Sequence, residues 1–130
     1  MKFQYKKYGP GILHPVIPVE VIHKGKSIFY EALVDSGADS NIFPAQIADI
    51  LGINVESGEK REAWGITGVG EDYYAHSVEL IVGGWSYDVK VGFLPNIARL
   101  GYGILGQKGF FDIFIVKFDL LKGEIELKTR

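Results

Sequence analysis

The sequence predicts an all-β domain, and three observations predict it. Short runs rich in Val, Ile, Phe and Tyr recur along the 130 residues. Seventeen glycines fall between these runs instead of clustering, which is the spacing of tight turns between short strands. No strand–helix–strand alternation and no internal repeat is visible, so the expected sum is eight or nine strands with one or two short helices.

The elements follow in order. Val16–Ile22 is β-branched and reads as a strand, Lys24-Gly25 as a turn, and Ser27–Val34 as a second strand ending in the apolar run Ala32-Leu33-Val34. A polar break, Asp35–Ser40, comes next. Pro44–Leu51 is the expected helix: Pro44 suits a first helical position, Ile47, Ile50 and Leu51 share one face, and Gly52 ends it. Lys60–Ile66 and Asp72–Val82 make a long hairpin around Thr67-Gly68-Val69-Gly70. Gly83-Gly84 turns the chain into Trp85–Phe93. Pro95–Leu100 reads as a loop, Tyr102–Leu105 as a short strand and Gly109–Ile113 as a short helix. Phe114–Asp119 and Glu124–Lys128 close the chain as a hairpin around Lys122-Gly123.

Composition narrows the function. With 47% hydrophobic and 23% charged residues and a net charge of -2, the chain has the make-up of a soluble domain. It has no basic face of the kind that binds nucleic acid, and no apolar run near the ~20 residues that span a bilayer. The first residues, Met1 to Lys7, precede no signal-type apolar run, so a cytoplasmic location is expected. The absence of cysteine excludes disulfides and thiolate metal sites.

The informative segment is Ala32-Leu33-Val34-Asp35-Ser36-Gly37-Ala38-Asp39. An apolar strand delivers a carboxylate at its end, and Gly37 permits close backbone approach. Two readings stand. In one, Asp35 and Ser36 bond the backbone of a strand-ending turn. In the other, Asp35 activates a water, provided a second carboxylate faces it. Such a pair shares one proton, so one member serves as base and the other as acid.

The wider pattern resembles the retropepsin family and its cellular and prokaryotic relatives among pepsin-like proteases. The active-site loop is similar over Ala32–Asp39. Gly65-Ile66-Thr67-Gly68-Val69-Gly70 looks like the flap that closes over substrate, with Trp64 beside it. Ile104-Leu105-Gly106 looks like the apolar–apolar–Gly signature that supports the loop. The likeness covers about Pro15 to Lys128, which makes residues 1–14 an N-terminal extension and 15–130 the protease domain. It implies a single-lobe acid-protease barrel and Asp35 as the catalytic residue. Ser36, Gly37, Ala38 and Asp39 would support it, and no cofactor or metal would be needed. Because the chain holds one such loop, the resemblance implies a homodimer whose second Asp35 completes the site, acting on a peptide or protein substrate. Neither a nucleic acid nor a membrane is an expected partner. In viral members an Arg follows the apolar–apolar–Gly signature and pairs with an acid after the loop. Gln107 stands there in this chain, so Lys108 or Arg99 is the expected substitute partner for Asp39.

Other candidates have plainer readings. His14, His23 and His76 lack metal-ligand spacing. Asp72, Asp88 and Asp112 read as turn, surface or capping acids. Trp64, Tyr73 and Tyr74 flank the flap, either as packing aromatics or as a groove wall. The glycine-rich stretch lacks the Lys-Ser/Thr of a phosphate loop. Apolar strands around the site lead to an expected preference for apolar residues at the cleaved bond. The function alternatives are an aspartic endopeptidase, a non-catalytic peptide-binding or dimerisation module on the same fold, and an unrelated barrel with an accidental triplet.

Overall fold

The computed structural model describes residues 1–64, 70–95, 97 and 101–130, with only the backbone described at Trp64. Twelve strands lie among the described residues: β1 Lys2–Gln4, β2 Lys6–Gly9, β3 Ile12–His14, β4 Val16–His23, β5 Lys26–Val34, β6 Ile42–Pro44, β7 Glu59–Trp64, β8 Gly70–Val82, β9 Trp85–Leu94, β10 Gly103–Leu105, β11 Phe114–Asp119 and β12 Glu124–Thr129. Among the described residues a single α-helix, α1, spans Ala45–Ile50, and a 3-10 turn spans Val55–Ser57. The fold is therefore all-β, as expected.

The main sheet runs β4-β5-β10-β6-β9-β8-β7, and an added β4–β8 pairing brings its ends together. That pairing closes six strands into a barrel and leaves β7 as a hairpin arm on β8. Two turns secure the local hairpins. Lys24 and Gly25 have φ of 46° and 81°, and Gly83 and Gly84 have 55° and 83°. Positive φ at both central residues gives the twist that two-residue hairpins need.

Burial follows the strand period. Val19, Val21, Ala32 and Val34 face the core with Phe43, Phe93, Phe110 and Phe114. Each of these rings stabilises the fold by about 1.5–3 kcal/mol relative to exposure. A second sheet, β1-β12-β11, caps this core with Ile125 and Leu127. Residues 1–14 supply β1, which pairs with β12, and the separate β2–β3 ribbon.

Several elements differ from the sequence reading. The helix starts at Ala45, because Pro44 completes β6 beside Leu94 of β9. On it, Ala48 is buried with Ile47 and Leu51, while Ile50 is 53% exposed. Both sets of three span a stripe of about 100°, so packing and not spacing selects the face. Gly109–Ile113 is a run of turns and not a helix. The Asp112 carboxylate accepts from the Gly109 amide (2.9 Å), and Ile113 N donates to the Phe110 carbonyl (3.0 Å). Side-chain capping and i→i+3 bonding tighten this segment into turns. The strand expected over Lys60–Ile66 is described as far as Trp64; residues 65 and 66 lie outside the described residues. No helix among the described residues is long and apolar enough to cross a membrane.

Candidate active site

Strand β5 is held on both sides where it matters. Its residues Ala32, Leu33 and Val34 pair in parallel with Gly103, Ile104 and Leu105 of β10, and β4 flanks the other edge. The last bond of this ladder is from Asp35 N to the Leu105 carbonyl (2.9 Å). Asp35 thus leaves the sheet at a fixed point, half-buried, with its Oδ1 accepting from Gly37 N (2.9 Å). Ala38 N donates to the Asp35 carbonyl (3.1 Å). The turn reading and the catalytic reading are compatible here, since one carboxylate oxygen serves the turn.

The segment after β10 clasps this turn from the far side. Gln107 N donates to the Ala38 carbonyl (2.8 Å), and Lys108 N donates to the Asp39 carbonyl (2.9 Å). The Gln107 side chain donates from Nε2 to the Ser36 carbonyl (2.9 Å). The bonds to the Ser36–Asp39 turn thus come from Gln107 and Lys108, directly after Ile104-Leu105-Gly106, of which Leu105 accepts from Asp35 N and Ile104 pairs with Leu33 and Ile42. Leu105 and Gly106 are buried, and Ser36, Gly37 and Asp39 are exposed.

The expected Lys108 partnership with Asp39 takes a different form. The contact is between main chains, and no side-chain ion pair links them. The short backbone bridge already sets the spacing of these two residues. Arg99, the other expected partner, lies outside the described residues.

Two polar residues that sequence reasoning passed over complete the framework. Ser40 and Asn41 are the buried polar residues among the described residues. The Ser40 and Tyr73 hydroxyls are hydrogen-bonded (3.2 Å), joining the loop to β8 of the hairpin. Tyr73 is buried and lies close against Gly92. Asn41 accepts from Gly106 N (2.9 Å) and donates to the Gly109 carbonyl (3.0 Å). The available signal was a polar pair placed directly before the apolar Ile42-Phe43, inside a region that must be buried.

The expected flap is the β7–β8 hairpin, paired from Glu59↔Ala75 to Trp64↔Gly70. Gly65, Ile66, Thr67, Gly68 and Val69 lie outside the described residues. Between the hairpin arm and the loop is a cavity of about 630 Å³, lined by Asp39, Ser40, Arg61, Glu62, Tyr73 and Lys108 among others. Its walls are polar, unlike the apolar surroundings expected from the strands. Arg61 is bound to Glu59 (3.2 Å), which also takes Lys90 (3.2 Å). Those two cations hold the Glu59 carboxyl below the usual carboxylate range, chiefly through the hydrogen bond from Arg61.

The histidines are used apart from one another. His76 donates from Nε2 to the Val55 carbonyl (2.7 Å), and His14 stacks on Tyr8 with ring centres 4.5 Å apart. Of the three acids, Asp112 caps Gly109, Asp72 pairs with Lys60 (3.3 Å) and Asp88 is exposed.

Comparison with solved structures gives the following likenesses, the first of which supports this architecture. A retropepsin-like aspartic protease from Rickettsia conorii superposes with a TM-score of 0.69 at 15% identity, covering 98% of this chain and 88% of that one. EIAV protease complexed with the inhibitor HBY-793 gives 0.45 at 22% identity, over 72% of this chain and 82% of that one. Simian Foamy Virus (mac) protease gives 0.44 at 20% identity, over 69% and 87%. Comparison with curated proteins finds no match. The family described as aspartyl protease matches residues 17–108, which contain the Asp35 turn, the hairpin and the Ile104-Leu105-Gly106 strand. The chain belongs to the aspartyl protease family and has the retropepsin-like fold.

Proposed function

We propose that the protein is an aspartic endopeptidase in which Asp35 and Asp35 of the partner subunit activate a water across a homodimer axis. The observation that carries this reading is the mounting of Asp35. A half-buried carboxylate at a strand end is fixed by the Leu105 carbonyl and the Gly37 amide within a turn braced on both sides. A rigid, oriented carboxylate is what general acid–base catalysis requires.

One chain carries one such turn, so two chains related by a two-fold axis supply the pair. The two carboxylates share a proton: the ionised one takes a proton from the attacking water, and the protonated one donates to the scissile carbonyl oxygen. An extended peptide lies below the β7–β8 hairpin and adds main-chain hydrogen bonds to it. Residues 65–69, which link β7 to β8 in the sequence, would carry the flap. No cofactor takes part.

The test is digestion of a peptide library at several pH values by the wild type and by Asp35→Asn. The amide keeps an oxygen for the Gly37 bond, so fold and dimer persist while cleavage is lost. Equal rates for the two proteins would remove Asp35 from the chemistry. A wild type that binds peptides and cuts none would instead mark a binding module on this fold.

A further inference from the structure

We propose that Asn41 is a positioning residue for the catalytic turn, acting through the Gly106–Gly109 segment; the inference rests on the reading of Asp35 as the catalytic carboxylate. Asn41 is fully buried. Its side chain spans two ends of one backbone stretch, accepting from Gly106 N and donating to the Gly109 carbonyl. Its own carbonyl accepts from Gly92 N (2.8 Å), which pins it to β9. An amide side chain is suited to this place, since it offers one acceptor and one donor at a fixed separation.

The stretch that Asn41 grips is the one that holds the turn. Between Gly106 and Gly109 lie Gln107 and Lys108, whose three bonds reach the carbonyls of Ser36, Ala38 and Asp39. The hydrogen bonds of the Asn41 side chain go to Gly106 and Gly109 and not to the Asp35–Asp39 turn itself. Asn41 sets the height of the platform against which that turn rests. Loss of the Oδ1 acceptor leaves the buried Gly106 N–H without its partner, and the platform shifts to recover it, whereas the Gly109 carbonyl keeps its bond from Tyr87. Displacement of the turn by a fraction of an ångström is enough to misalign a shared-proton pair.

Tyr87 supplies the control. Its hydroxyl donates to the same Gly109 carbonyl (3.0 Å) but has no bond to Gly106. Removing it weakens the fold locally and leaves the Gly106 end of the platform in place.

The experiment compares Asn41→Leu, Asn41→Thr and Tyr87→Phe with the wild type by steady-state kinetics and by amide exchange at Ser36, Gly37, Ala38 and Gly106. Asn41→Leu is expected to lower kcat roughly tenfold to a hundredfold. KM should stay within about threefold, as for an interaction made only in the transition state. Its Ser36–Ala38 amides should exchange faster. Asn41→Thr, which retains an acceptor for Gly106 N, should recover part of the rate and serves if the Leu variant does not fold. Tyr87→Phe should lose stability without loss of kcat. Equal kcat for the Asn41 and Tyr87 variants, or unchanged exchange in the turn, overturns the proposal. A wild type that cleaves nothing overturns the protease reading instead, while the exchange data still report on the platform.

Discussion

The Ser40 backbone passes directly beneath Gly106: a Cβ on Gly106 would stand 2.5 Å from the Ser40 carbonyl oxygen and 2.7 Å from its amide nitrogen. The glycine of the apolar–apolar–Gly strand is there because two backbones meet. Neither side of the contact is a flexible side chain, so nothing can yield cheaply. Gly106→Ala is expected to destabilise the protein by about 1–3 kcal/mol, the usual range for overpacking a tight site. Urea denaturation of the two proteins measures it. A variant as stable as the wild type would mean that the two segments separate without strain.

Gln107 gives a second prediction. Its bond to the Ser36 carbonyl is exposed, so its removal in Gln107→Ala should change stability by no more than about 1 kcal/mol. The turn should nevertheless lose one of its braces, and turnover should fall several-fold with little change in KM. Unaltered turnover would reduce Gln107 to a surface residue.

Tyr87 carries a pH prediction. Burial raises its hydroxyl above the ordinary value of 10.0, and the Asp112 charge adds to the shift. In the unfolded chain the phenol ionises near pH 10, while in the folded chain it stays neutral. The unfolded state therefore releases a proton first, and stability contributed by this group is intact below pH 10 and declines as pH rises above it. Denaturation between pH 7 and 11 should show a steeper alkaline loss for the wild type than for Tyr87→Phe. Parallel curves would contradict this.

A fourth prediction concerns assembly. If each site needs Asp35 from two chains, specific activity must drop when the enzyme is diluted below the dissociation constant of the dimer. Activity should also peak on the acid side of neutral, where the pair holds one proton, and decline in alkali. Sedimentation and cleavage assays over matched concentration and pH series test both. A monomer with concentration-independent activity would end the shared-site reading.

The sequence disclosed the elements whose causes are local. β4, β5, β8, β9, β11 and β12 carry β-branched runs bounded by turn residues, and their hairpins were legible. The Asp35 turn and its supporting strand were visible as motifs. What was illegible depends on distant partners. β6 is three residues long and exists because β9 and β10 lie on either side. β1 to β3 are three or four residues long and mostly exposed, with no long apolar run to announce them. The roles of Asn41 and Gln107 arise from contacts 65 and 71 residues away. A residue type can hint at burial, but no local pattern encodes such a contact.

That separation has a consequence for the order in which the molecule becomes competent. The Ser36 turn is braced from 71 residues downstream, and β5 and β10 run parallel. Closing so long a loop and pairing strands in parallel come late in folding, because the entropy of closure is lost before the contacts form. Asp35 emerges early during synthesis, yet the groups that fix it arrive only with Leu105 and Gln107. A nascent chain therefore exposes the Asp35 carboxylate without its geometry, and that geometry is set only when the barrel shuts. In pulse-labelled refolding, protection of the Asp35 and Ala38 amides should appear with the final phase; protection in an early phase, ahead of β10, would refute that order.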